Sequence, residues 1–243
     1  MNTIKLDTGE TKLIAHRGLS GLERENTCSA FVAAGNRAGI FGIETDVHRT
    51  ADGKFVLFHD DNTQRVGLDH LVLEETTFQT LRSLQLTDRD GTRSRGDLMM
   101  PTVEEYIGIC KRYEKTCVFE FKNVLPKEDV IRLAEIFRRE DYLDRAIFIS
   151  FQPDNLFALR EHDQEVSIQL LLDRWREEAM EPMTRLHIGL DINYRALTKE
   201  LVDRVHAAGL PVNCWTVNDP DEARKLIDMG VDYITSDILE SKR

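Results

Sequence analysis

The sequence predicts an α/β fold, a single (β/α)8 TIM barrel, on three observations. Eight short apolar or alternating runs recur with helix-like segments between them, the order that a closed parallel sheet requires. The length of 243 residues lies close to the roughly 250 typical of one such barrel. No G-x-G-x-x-G or G-x-x-x-x-G-K-[ST] follows any of these runs, so the phosphate-loop mark of an open doubly wound sheet is missing.

The strand expectations, in order, are residues 12–15, 41–47, 116–121, 146–150, 166–171, 186–191, 211–216 and 232–235. An extra run at 54–58 follows the second after an Ala-Asp-Gly turn, which reads as a hairpin partner. Helix starts are marked by Thr102 with Glu105, a capping box, and by Asp219 followed by Pro220 and Glu222; each supplies oxygen acceptors for the unpaired N–H groups of a first turn. Gly39, Gly209 and Gly230 each follow a helical run and precede an apolar one, which predicts left-handed stops. Residues 60–100 exceed a bare βα unit and carry the polar stretch TDRDGTRSRGD. They read as an insertion after the second strand, within one domain spanning 1–243.

Composition narrows the function. Hydrophobic residues make up 41% of the chain, enough for a large core, and no apolar run approaches the roughly 20 residues of a membrane span. With 32 Lys plus Arg against 43 Asp plus Glu, the net charge of −11 repels polyanions, so nucleic acid is not an expected partner. A small anionic substrate then requires a local cation. Cys28, Cys110, Cys117 and Cys214 form no C-x-x-C pair and are too sparse for a disulfide framework. With no leader-like segment at the start, the expected compartment is the cytoplasm. A homodimer is expected only from the general frequency of symmetric pairs.

Barrel chemistry sits at the C-terminal ends of the strands, and polar residues concentrate there. The first strand ends in His16-Arg17-Gly18. In the second, Ile43-Glu44-Thr45-Asp46-Val47, alternation puts Glu44 and Asp46 on one face and the apolar residues on the other. If the apolar set packs on the helices, two carboxylates point together into the barrel mouth and need a compensating cation. Glu120-Phe121-Lys122 repeats the spacing on the third strand. Glu44, Asp46 and Glu120 thus form a candidate oxygen cage for a hard ion, Mg2+ or Ca2+; zinc would call for His or Cys ligands. Taken singly, an E-x-D pair reads equally as an ion pair or a solvated edge, and His16 or His59 as a structural histidine. Together with Arg17 and Asp60, the two histidines suit an acid and base pair around a phosphate. Lys122 suits a second cation for the anion. Asn26 reads either as a ligand contact or as a helix cap, and His48 as a support behind the acidic pair or a solvent-facing ring. Asp191, Gln169 and Asp237 sit at strand ends, where they meet substrate or simply bond loops.

In order along the chain, L-I-A-H-R-G, E-N-T, G-I-E-T-D-V-H-R-T-x-D-G-x-x-V-x-x-H-D, M-P-T-V-E-E-Y, V-F-E-F-K, V-N-C-W-T-V-N-D and G-V-D-Y-I-T-S-D resemble the glycerophosphodiester phosphodiesterase family. The resemblance implies a barrel enzyme that hydrolyses glycerophosphodiesters to glycerol 3-phosphate and an alcohol with a divalent metal and two histidines. Carried over by position, it implies Glu44, Asp46 and Glu120 as metal ligands, His16 and His59 as acid and base in either order, Arg17 and Lys122 at the phosphate, and Trp215 lining the substrate site. Arg24 stands where the family's motif has proline. Two other readings remain open: a lysophospholipase D-like activity on single-chain lipids, with the same phosphate chemistry, and a phosphate-ligand binder that has lost turnover. The few apolar residues of the 60–100 segment favour a soluble diester.

Overall fold

The computed structural model describes residues 2–67 and 69–242; Leu68 of the 60–100 segment and both end residues of the 1–243 unit therefore lie outside the described residues. Short strand β1 (Ile4–Leu6) precedes β2 (Lys12–Ala15), α1 (Cys28–Gly35), β3 (Gly42–Arg49) and β4 (Phe55–Leu57). Then come α2 (Gln64–Gly67), α3 (Phe78–Arg82) and α4 (Val103–Arg112), followed by β5 (Thr116–Phe121), α5 (Lys127–Arg139), β6 (Ala146–Ser150) and α6 (Pro153–His162). β7 (Ser167–Leu172), α7 (Met180–Leu186), β8 (Gly189–Asn193), α8 (Lys199–Ala207), β9 (Val212–Trp215), α9 (Pro220–Met229), β10 (Tyr233–Ser236) and β11 (Leu239–Ser241) complete the chain.

β2, β3 and β5 to β10 form a closed eight-stranded parallel barrel, shut by the pairing of β10 with β2 and of β2 with β3. β4 adds antiparallel to the outer end of β3, with Val47 opposite Leu57, as the Ala-Asp-Gly turn predicts. Alternation sorts the side chains. Ile43, Val47, Phe119, Phe121, Leu190 and Ile192 pack outward in the main core with the helices. Ile14, Val118, Ile147, Ile149 and Leu171 form a separate cluster inside the barrel. Phe119, Phe137 and Phe148 bind strands to α5 through ring centroids 5.1–6.0 Å apart.

Thr102 and Glu105 form the predicted capping box of α4, and Asp219 caps α9 with Pro220 in its first turn. Gly209 and Gly230 take left-handed φ values of 73° and 85°. Gly39 departs from expectation: α1 has already ended at Asn36, and Gly39 is not left-handed. It is needed for close approach, because a Cβ there would collide with the carbonyl of Ser241 on β11. The expected strand at 186–191 also begins late. Leu186 closes α7, and His187 at φ 54° caps it before β8 starts. β1 and β11, paired in parallel, escaped the sequence reading because three residues are too few to show a period.

Residues 60–100 fold against β4. Val66, Leu73, Leu81, Leu86, Leu98 and Met100 bury with Val56 and Phe58 in their own cluster, and of Leu98, Met99 and Met100 only Met99 is exposed. Among the described residues no helix is long and apolar enough to cross a membrane.

Candidate active site

β3 and β5 build the centre of the site. Their register sets Asp46 opposite Glu120, and because β3 turns its apolar residues toward the helices, Glu44 and Asp46 face the barrel axis. Glu44, Asp46 and Glu120 are buried, and each offers a carboxylate oxygen within 4.8 Å of the others. Lys122, just past β5, brings Nζ to 2.9 Å from Glu120 Oε1 and 3.3 Å from Asp46 Oδ1. The backbone N–H of Arg17 donates to Glu44 Oε2 at 2.7 Å, its guanidinium donates to Glu25 Oε1 at 2.8 Å, and its Nε lies 3.7 Å from Asp46.

Asn26 joins the site by a definite route. Its amide nitrogen donates to Asp46 Oδ2, and its amide oxygen accepts from Thr45 Oγ1, both at 2.7 Å. The helix cap of α1 is Thr27 instead. Arg17 and Asn26 adopt left-handed φ values of 53° and 49°, a strained state for residues with a Cβ that surrounding bonds must hold. Here a 3.0 Å bond from Asn26 N–H to the Arg17 carbonyl ties the two turns together.

Crowding three carboxylates out of water shifts their proton affinities. Burial first, then Asp46 and Glu120, push Glu44 well above the usual carboxylate range. Burial and Asp46 push Glu120 up to about 8 against the pull of Lys122. Burial alone would raise Asp46 too, but Lys122 and Arg17 overcome it and hold that group below its ordinary value. Asp46 Oδ1 and Glu120 Oε1 are buried, and the Lys122 ammonium pairs with both without hydrogen-bond geometry. An all-oxygen set with free lone pairs fits a hard divalent cation such as Mg2+ or Ca2+.

Each histidine is held by a carboxylate. His16, just past β2, bonds through Nδ1 to Asp237 Oδ1 at 2.7 Å; Asp237 also accepts from Ser20 and Asn218, and these bonds, with His16, lower its carboxyl to about 2 despite burial. His59 bonds through Nδ1 to Asp60 Oδ1 at 2.7 Å. Burial, with Arg17 and Lys122 nearby, holds the His59 ring below the usual imidazole range although Asp46 and Asp60 oppose this. An ionised carboxylate only accepts, so each Nδ1 is the donor and Nε2 is left to act as acceptor or, when protonated, donor. Both rings, with Arg17, Glu44, Glu120, Lys122, Trp215 and Asp191, line one cavity of about 100 Å³. His48 is buried beside it, its Nε2 3.2 Å from the carbonyl of His59, where it supports the turn carrying that residue. Trp215 packs edge-on against Phe151 at 5.5 Å.

Three supporting residues were not singled out in the sequence reading as parts of this site: Asp237 as the partner of His16, Glu25 and Arg65. Arg65 on α2 donates from Nε to Asp60 at 2.6 Å and grips Glu25 through two nitrogens at 2.6 and 2.7 Å. One chain of bonds thus runs Arg17–Glu25–Arg65–Asp60–His59, and it joins segments 40 residues apart, beyond any periodic cue. Arg24, in place of the proline, donates from Nε to the Thr87 carbonyl at 2.6 Å and so pins the Glu25–Asn26 turn to the 60–100 segment. Arg65→Ala is expected to lower kcat at least about tenfold with a smaller change in KM, since it frees the partners of His59 and Arg17 together. Arg65→Lys should recover part of the loss, and steady-state kinetics of both variants checks this.

A model of the Glycerophosphoryl diester phosphodiesterase family matches residues 16–241. The chain belongs to this family. It is 27% identical over 231 residues to the glycerophosphodiester phosphodiesterase of Caldanaerobacter subterraneus, covering 94% of each chain. It is also 27% identical over 236 residues to the glycerophosphodiester phosphodiesterase of Bacillus altitudinis, covering 93% of this chain and 94% of that one. Among solved structures it is similar to a phosphodiesterase of Oleispira antarctica in complex with the product sn-glycerol 3-phosphate, with a TM-score of 0.85, 28% identity and coverage of 93% and 92% of the two chains. A glycerophosphodiester phosphodiesterase of Parabacteroides distasonis is 30% identical with a TM-score of 0.75, covering 94% and 93%. The family and the barrel expected from the motifs are therefore those of this chain, which is a phosphodiesterase of the family.

Proposed function

We propose that this family member hydrolyses small soluble glycerophosphodiesters to glycerol 3-phosphate and an alcohol, with a divalent cation held by Glu44, Asp46 and Glu120 and with proton transfer by His16 and His59. The observation that carries the reading is the convergence of two carboxylate-held histidines on one cavity with Glu44 and Glu120, two members of a buried carboxylate trio completed by Asp46. When bound, the cation, Mg2+ or Ca2+, would neutralise charge at the phosphoryl oxygens.

Arg17 and Lys122 add cationic donors for the same oxygens. One histidine takes the proton of the attacking oxygen nucleophile, water or the 2-hydroxyl of the glycerol moiety, as the new P–O bond forms. The other gives its proton to the alkoxide oxygen as the old P–O bond breaks, so the charge on the leaving group never develops fully. Asp237 and Asp60 keep both rings in the tautomer that presents Nε2 and stabilise the protonated ring. The four free cysteines suit a reducing compartment, and we place the enzyme in the cytoplasm on that basis.

The test is a panel of glycerophosphocholine, glycerophosphoethanolamine, glycerophosphoglycerol and lysophosphatidylcholine, in EDTA and then with Mg2+, Ca2+ or Mn2+. The expected result is release of glycerol 3-phosphate from the soluble diesters, lost in EDTA and restored by a cation. Preference for lysophosphatidylcholine would transfer the site to lipids. Binding of glycerol 3-phosphate without turnover of any diester would make the protein a binder.

A further inference from the structure

Besides Glu44 and Glu120, one more buried acidic side chain lines the cavity. Asp191 lies on β8 between Leu190 and Ile192, which pack outward among the helices, so it projects toward the barrel axis. It is 1% exposed. One oxygen accepts from Asn213 Nδ2 at 3.1 Å, while Oδ1 has no hydrogen bond among the described residues. A buried polar atom without a partner opposes folding and persists in native proteins where a bound molecule or a function accounts for it.

The neighbours say what kind of molecule. Around Asp191 the wall is mostly apolar: Ile149, Phe151, Leu171 and Trp215 line the cavity with it, beside the uncharged polar Asn213, Thr216 and Thr235, while Glu44 and Glu120 come from β3 and β5 on the other side of the barrel. Burial pushes the Asp191 carboxyl well above the usual range, with only the bond from Asn213 opposing, which favours the protonated form, able both to donate and to accept. A cationic head group would call for an ionised carboxylate, and an acyl chain for no polar atom at all. A hydroxyl borne on a short carbon chain meets both surfaces, its C–H groups on the aromatic rings and its O–H on the acid.

We propose that Asp191 is a specificity-determining residue that hydrogen-bonds a hydroxyl of the small polyol half of the ligand, with the phosphate end toward Arg17 and Lys122; that this polyol is glycerol rests on the function proposed above. Titration calorimetry of the full-length protein in Mg2+ buffer compares sn-glycerol 3-phosphate with n-propyl phosphate, equal in chain length and charge but without hydroxyls. The wild type should prefer glycerol 3-phosphate. Asp191→Val should lower the ratio of the two affinities about tenfold or more, and Asp191→Asn, which keeps a donor and an acceptor, should retain most of it. If valine overpacks the barrel axis and the variant does not fold, Asp191→Ala carries the same comparison. Equal wild-type affinities, or a ratio unchanged in the folded valine or alanine variant, would overturn the assignment. Selective binding that depends on Asp191 without hydrolysis of any diester would sink the functional reading and leave the assignment standing. Hydrolysis with an unchanged ratio would sink the assignment alone.

Discussion

His59→Ala is expected to lower kcat on a soluble glycerophosphodiester by about 100- to 10,000-fold, the range over which a positioned acid or base contributes. The fold should survive, because Asp60 keeps its 2.6 Å bond from Arg65 and the ring removed is partly exposed. His16→Ala should fall in the same range, since Asp237 keeps Ser20 and Asn218 as donors. In each variant one limb of the pH–rate profile should flatten, while the stabilisation produced by added cation stays near the wild-type value. Steady-state kinetics across pH, with thermal melts in parallel, checks this. A rate within about threefold of wild type would remove that histidine from the proton-transfer pair.

Stripping the cation with EDTA should abolish turnover and also destabilise the protein in a pH-dependent way. Glu44 and Glu120 carry raised proton affinities in the folded chain, the latter to about 8. A group raised on folding stabilises the folded state fully below its unfolded value, here near 4.5, and that contribution is lost as pH rises toward and through the folded value. The cation-free protein should therefore melt progressively lower from pH 5 to pH 8. A cation at about 100 times its Kd contributes about 2.7 kcal/mol, roughly 5–10 °C for a domain of this size. The gain should be larger at pH 8 than at pH 5, where protons compete for the same oxygens. Glu44→Gln should lose turnover and most of the cation-induced gain, yet melt no lower than cation-free wild type at pH 8, because it removes a buried acid that opposes folding there. Full activity in Glu44→Gln, or a melting point indifferent to Mg2+, Ca2+ and Mn2+, would reject the ligand role.

Alternation along a strand is local covalent geometry, and so it was legible before any folding. The E-x-D of Glu44 and Asp46 already stated that both carboxylates share a face, the E-F-K of Glu120 and Lys122 stated the same, and the eight runs in order implied the barrel that brings them side by side. Caps at Thr102 and Asp219 were readable for the same reason: each bond spans three residues or fewer. Gly39 and Leu186 misled because the local pattern was ambiguous; the close approach of β11 decided the first and the left-handed stop at His187 the second.

What no spacing disclosed is which partner each side chain meets once the sheet closes. Asp237 reaches His16 across 221 residues of chain, Arg65 reaches Glu25 across 40, and Asp191 remains without a bond on Oδ1 because Asn213 on one side reaches only Oδ2 and Leu171 on the other has no polar atom to offer. The residue types, their faces and the family were determined by the sequence alone. The pairing of each histidine with its carboxylate, the bracing of Arg17 through Arg65 and the vacant lone pair of Asp191 were decided only by tertiary structure, because hydrogen bonds depend on distances in space that strand and helix periods do not encode.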